Sequence, residues 1–187
     1  IAKTYDKEYN EDTKVSILMK GNYLINDCLH NTTKCDFYTL KGIIENLLDY
    51  LGFKNRYTFI ASSLPEMHPG MTAKILLDKE EIGMLGRVHP SYKKDEIYVA
   101  EVSMTKLYNK QVKPIKFKEA SKYPEITKDL AFVIDNNVES EVIKSQIKKS
   151  GGRLLDSIEV FDVYENIEEG KKSIAYKLVF KDSNKTL

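Results

Sequence analysis

The chain has only two cysteines and three arginines in 187 residues, and no apolar run approaching a membrane span. Each shortage excludes something. Cys28 and Cys35 stand seven apart with His30 between them, whereas a zinc site asks for close Cys pairs and four ligands. They therefore read as reduced, structural thiols, and two thiols in a chain this size fit a reducing cytoplasm. Without ~20 consecutive apolar residues there is no helical span, and no signal-peptide pattern opens the sequence. The net charge is +1, so no global basic field announces a nucleic acid, and any such contact must come from a local patch. Internal repeats and low-complexity segments are absent too. The first residue is Ile1, which suggests excision from something longer.

What is present describes an ordinary globular chain, 42% hydrophobic and 30% charged, long enough for one large or two small domains. "TKVSILMKG" alternates Val15, Ile17 and Met19, a strand signal. "DFYTLKGIIENLLDYLG" carries the clearest helix, with Asp36 as N-cap and Gly52 just past its end. Gly42 inside that helix costs ~1 kcal/mol relative to Ala, which suggests a close backbone approach there. "RYTFIA", "MTAKILLDKEEIGMLGRVHP" and "EIYVAEVSM" read as antiparallel strands, with a hairpin turn at Asp78-Lys79. His68-Pro69-Gly70 and His89-Pro90 read as turn punctuation or as parts of a partner surface.

The second half begins near Lys110, where "NKQVKPIKFKEASKYPEIT" has the composition of a linker. Residues 113–128 hold five Lys against two Glu, a local +3. A strand is predicted over 129–135, a helix over 140–150 stopped by Gly151-Gly152, and strands over 154–165 and 172–182. Ile143 and Ile147 mark the helix's buried stripe, and Ile174, Tyr176, Leu178 and Phe180 the sheet face beneath it. The other face, with Lys177, would be open, as in sheets that receive single-stranded RNA. Lys122, Tyr123, Lys128, Lys171 and Lys172 lie near strand ends as RNA-contact candidates, against the plainer reading of a solvated rim. Phe161 and Tyr164 are candidate stacking platforms, placed on opposite faces by simple alternation. Asp129 looks buried, suited to capping turn or strand amides.

"KYPEITKDLAFVID", "GGRLLDSIEVFDVYE" and "GKKSIAYKLVF", followed by "KTL", resemble the ferredoxin-fold anticodon-binding domain that closes the beta subunit of bacterial phenylalanyl-tRNA synthetases. "DFYTLKGIIENLLDYLG", "MHPGMTAKI" and "IGMLGRVHP" resemble the class II synthetase-like core preceding it, while residues 1–35 match only weakly. The resemblance implies an α+β chain. A noncatalytic antiparallel-sheet core over 1–110 would precede a ferredoxin-like domain over 111–187, whose βαββαβ pattern stops after four elements. It further implies an α₂β₂ enzyme that joins phenylalanine to its tRNA with ATP and Mg²⁺. His68, Pro69, Gly70 and His89 would face the alpha subunit, and the lysines above would face tRNA. No membrane partner is implied. Where the family usually carries Arg, this chain has Lys128, which keeps the charge and loses the bidentate fork. Arg56, Arg87 and Arg153 are scattered, and no carboxylates cluster for Mg²⁺, so no cofactor is expected on this chain itself. A free-standing RNA-binding module and a small-molecule regulatory domain are the alternatives.

Overall fold

A computed structural model describes residues 1–26, 31–112 and 121–187. Cys28, His30 and the stretch 113–120 of the lysine-rich lead-in lie outside them. The chain divides into two units, Ile1–Ile115 and Lys116–Leu187.

The first unit is a six-stranded antiparallel sheet in the order β1-β2-β8-β7-β6-β5. Its strands are β1 (Ala2–Tyr5), β2 (Glu11–Lys20), β5 (Tyr57–Ala61), β6 (Met67–Leu77), β7 (Glu80–Val88) and β8 (Ile97–Ser103). A separate ribbon pairs β3 (Asn22–Asn26) with β4 (Asn31–Lys34). Helix α1 (Phe37–Tyr50) begins where the Asp36 carboxylate accepts the Thr39 N–H at 2.6 Å. It ends in a left-handed Gly52, with the Phe53 N–H donating to Leu48 O and the Gly52 N–H to Asp49 O. Leu40, Ile44 and Leu48 are fully buried against Ile75, Leu77, Ile82, Leu85, Ala100 and Val102. That stripe recurs at 3.6-residue spacing while the strands alternate, which is why one helix seals one sheet face.

Glycines shape this sheet differently from the sequence expectation. A Cβ on Gly42 would meet nothing, so no close approach explains that residue. The tight places are in β7. A Cβ on Gly83 would strike the Glu101 carbonyl oxygen, and one on Gly86 would lie 2.6 Å from Met71 O. Asp78 and Lys79 form the expected two-residue hairpin, both with positive φ. A short helix the sequence reading missed, α2 (Met104–Tyr108), starts where the Ser103 hydroxyl accepts the Lys106 N–H.

The second unit runs β9 (Ile126–Asp135), α3 (Ser140–Gly151), a single 3₁₀ turn, β10 (Leu155–Glu168) and β11 (Lys171–Phe180). Its antiparallel sheet has the order β10-β11-β9, leaving β9 at an edge. Ile174, Tyr176 and Leu178 are buried with Ile147 beneath α3, as the alternation implied. Tyr176 is the anchor, its hydroxyl 2.9 Å from Ser140 Oγ at the start of α3. Leu130, paired with Tyr176 from the edge strand, is 45% exposed.

Candidate nucleic-acid interface

The face of the second sheet turned away from α3 holds the odd-numbered positions of β11, namely Ser173, Ala175, Lys177 and Val179. Cross-strand register places Val133, Ala131, Asp129 and Thr127 beside them on one flank, and Tyr164, Asp162 and Glu159 on the other. Phe161 joins this face through an irregularity. The β10–β11 register shifts between Val160 and Asp162, so Phe161 and Asp162 together oppose Ala175. The Phe161 ring lies 5.9 Å from Lys177 Nζ, on the same side. Simple alternation would have put Phe161 and Tyr164 on opposite faces. The bulge overturns that and brings both rings to the open face, 52% and 66% exposed.

Two aromatic rings standing free beside a cation, a hydroxyl and a carboxylate can stack bases and hydrogen-bond their edges. Ser173 is half-buried and directly opposite Tyr164, within reach of anything stacked on that ring. Asp129 is exposed, not buried. It lies within β9 across from Lys177, and its carboxylate accepts no backbone N–H among the described residues, because the strand starts at Ile126, before the expected 129.

The lysine candidates separate into two groups. Ile126 pairs with Phe180, and Asp135 with Lys171, nine residues farther along. At about 3.3 Å per residue the two ends lie about 30 Å apart. Lys171 and Lys172 sit at the end nearer Tyr164. Lys171 Nζ is 2.7 Å from Glu168 Oε2, and Lys172 Nζ donates to Asn136 O at 2.8 Å. Lys122 and Tyr123 lie at the opposite end, and Lys128 one pair of residues in from it. Lys128 pairs with Leu178, so it stands on the helix side of the sheet, exposed where α3 does not reach.

In the first unit, His68-Pro69-Gly70 does not close a strand. It is an excursion within β6, between the pairs Met67–Val88 and Thr72–Gly86. The loop holds itself, with the Gly70 N–H donating to His68 Nδ1 and Thr72 Oγ1 donating to His68 O. The His89 N–H donates to Glu66 O beside it, and His89 Nδ1 is 2.7 Å from Ser91 Oγ. All four candidate subunit-contact residues thus share one end of the β6–β7 pair.

Among the described residues the arginines do not gather into a clamp of the kind that ATP phosphates call for. Arg56 forks onto Asp78, Arg87 Nη1 lies 3.3 Å from Glu96, and Arg153 belongs to the other unit. On the sheet face away from α1, Lys14 and Lys74 are held by Glu101 and Glu81 at 2.7 and 2.6 Å. No three metal-ligating side chains cluster among the described residues.

Comparison with known sequences accounts for both units. Residues 1–104 match the family described as the phenylalanyl tRNA synthetase beta chain CLM domain. This chain belongs to that family. Residues 121–187 match the ferredoxin-fold anticodon binding domain. The first match includes residues 1–35, where the motifs had shown little. The phenylalanine–tRNA ligase beta subunit of Listeria monocytogenes is 38% identical over 183 residues, covering 95% of this chain and 23% of that protein. The Bacillus subtilis subunit is 42% identical over 158 residues, covering 81% and 20%. The chain therefore spans about a fifth to a quarter of the length of these synthetase beta subunits. Matches to both units in one order within one subunit leave the free-standing module and the regulatory domain without a supporting observation. No helix among the described residues is long and apolar enough to cross a membrane.

Proposed function

We propose that this chain is the part of a phenylalanine–tRNA ligase beta subunit that braces the enzyme and reads the anticodon end of its tRNA. The second unit lays anticodon bases on the open face of β9–β11, stacked on Tyr164 and Phe161, with Ser173 and Asp162 facing their edges. Lys171 and Lys172 supply phosphate contacts at the rim. The first unit, with His68, Pro69, Gly70 and His89 at one end, docks on an alpha subunit of an α₂β₂ assembly. That subunit carries the ATP- and Mg²⁺-dependent chemistry, in the cytoplasm where charged tRNA is used.

The observation that carries this reading is the β10 bulge, which turns two exposed aromatic rings onto a single open sheet face beside Lys177. A buried-core role would hide these rings under α3. Base–aromatic stacking contributes about 1–3 kcal/mol per base. Tyr164→Ala should therefore weaken binding of the anticodon stem-loop of the phenylalanine tRNA by about tenfold or more. Replacing Lys171 and Lys172 with Ala should flatten its salt dependence by ~0.7 per single-strand phosphate. Affinity unchanged by Tyr164→Ala and Phe161→Ala together would overturn the reading. Docking is tested separately: His68→Glu with His89→Glu should reduce co-purification with the alpha subunit while leaving RNA affinity alone.

A further inference from the structure

At the sheet end remote from Tyr164, cations that the functional reading leaves unused come together. Leu155, Phe180 and Ile126 form one row across the three strands. Just beyond it lie Arg153, the middle residue of the 3₁₀ turn Gly152–Leu154 that leads into β10, and Lys181, which follows β11. The two segments are tied where the Lys181 N–H donates to the carbonyl of Leu154, the residue after Arg153, at 2.8 Å. Arg153 and Lys181 line a hollow of about 210 Å³ with Asp182, Ser183 and Asn184. That is room for a phosphate group with water around it.

The lead-in to β9 is pinned at the same place. Ser121 Oγ accepts the Tyr123 N–H and donates to Asp182 O at 3.3 Å, which ties the lead-in to the segment lining the hollow. Two carboxylates share the region, and one of them faces Lys181, which leaves Arg153 as the cation of the hollow without an ion-pair partner among the described residues. The Asp182 carboxylate accepts the Asn184 N–H at 2.9 Å, and Glu125 lies 3.7 Å from Lys181. Arg153 is exposed, so its planar fork is free to take two oxygens of one phosphodiester.

The geometry points to a phosphate cradle, built from Arg153 and Lys181, that holds the RNA backbone about 23 Å along the strands from Tyr164, seven residues at about 3.3 Å each. It rests on the reading of the open face as a base platform and extends it. Bases engaged at Tyr164 leave the paired stem of the same RNA to run along the sheet toward this end. A stem presents phosphates at regular spacing, and a fork and an ammonium flanking a small polar hollow suit that better than they suit a base.

The test uses the whole 187-residue chain and two probes, the anticodon stem-loop and the same loop sequence as a single strand without the stem. Arg153→Gln with Lys181→Gln should weaken stem-loop binding about tenfold at low salt. It should also reduce the salt slope by about 1.8, two duplex phosphates at ~0.9 each. Loop binding should stay as it was. Both positions are solvent-facing, and an unchanged melting curve checks that the fold is intact. Equal stem-loop affinity and slope in variant and parent would overturn the cradle, even where Tyr164→Ala still abolishes binding and the base platform stands. A parent chain that binds neither probe would remove both.

Discussion

The two units pair their cations to different extents. In the first, Lys3, Lys14, Lys20, Lys41, Arg56, Lys74, Arg87 and Lys110 each sit within 4 Å of a carboxylate. In the second, only Lys171 and Lys181 do so among the described residues. Lys122, Lys128, Lys144, Lys148, Lys149, Arg153, Lys172, Lys177 and Lys185 are left without one. Exposed ion pairs add little stability, ~0–1 kcal/mol each, so the pairing in the first unit is not what holds it together. Lys7, Lys34, Lys54, Lys79, Lys93, Lys94 and Lys106 of the same unit stand outside these pairs, so it too keeps uncancelled cations, though a smaller share of them. The second unit is close to neutral in total, yet its cations remain available. Partner choice follows from where charges are left uncancelled, not from the sum of +1.

The cores differ in the same sense. Leu40, Ile44, Leu48, Ile75, Leu77 and Leu85 are completely buried in the first unit, whereas Tyr176 alone reaches that level in the second. The largest effect expected from this contrast is that of Leu48→Ala, which should cost the first unit ~4 kcal/mol through lost transfer energy and a cavity. Calorimetry should show its transition falling while the second unit's stays in place. A single transition shifting as a whole would break the comparison.

Hydrogen exchange should next show α3 amides opening roughly 100-fold faster than those of α1, because α3 rests on an open three-stranded sheet with Leu130 uncovered. Equal protection in the two helices would show that the second core is as closed as the first. Tyr176→Phe removes the hydrogen bond to Ser140 and should cost the second unit about 1 kcal/mol. A loss of that size confined to its transition would sharpen the role of this anchor.

Gly42→Ala should stabilise the first unit by ~0.8–1 kcal/mol, since the added methyl meets nothing and the helix gains propensity. Any loss there would mean an unseen neighbour covers that face of α1. The smallest effect is acid sensitivity. Hydrogen bonds from Arg56, Lys110, Lys20 and Lys3 hold Asp78, Glu80, Asp95 and Glu11 below the usual carboxylate range. A depressed folded value means stability present above the unfolded value, near 4, and lost as pH falls through the folded one. A gentle loss in the first unit below pH ~4, read by thermal melts, is the expected result. A first unit indifferent to pH between 5 and 2 would show these exposed pairs contribute nothing.

Much of this was legible in the chain itself. The α1 stripe, its Asp36 cap and its glycine stop are local signals, each within a turn of the residues they govern. The same holds for the Asp78-Lys79 hairpin and for the alternation that buries Ile174, Tyr176 and Leu178. Ribbons and short elements, β1, β3, β4 and α2, went unread, since four or five residues carry too little periodicity to mark a strand or a helix.

The site is a different matter. The sequence supplied Tyr164, Phe161 and the lysines as residue types, and alternation then placed the two rings wrongly, because a bulge shows only as register against a partner strand. It grouped Lys122, Lys128, Lys171 and Lys172 as strand-end cations without revealing that the ends lie about 30 Å apart. Arg153 and Lys181 are twenty-eight residues apart in sequence and meet only because Leu155 pairs with Phe180. Local chemistry, capping, turn φ and hydrophobic period, is written residue by residue. Which side chains share a face is decided by cross-strand register, a long-range property that one strand's sequence does not contain.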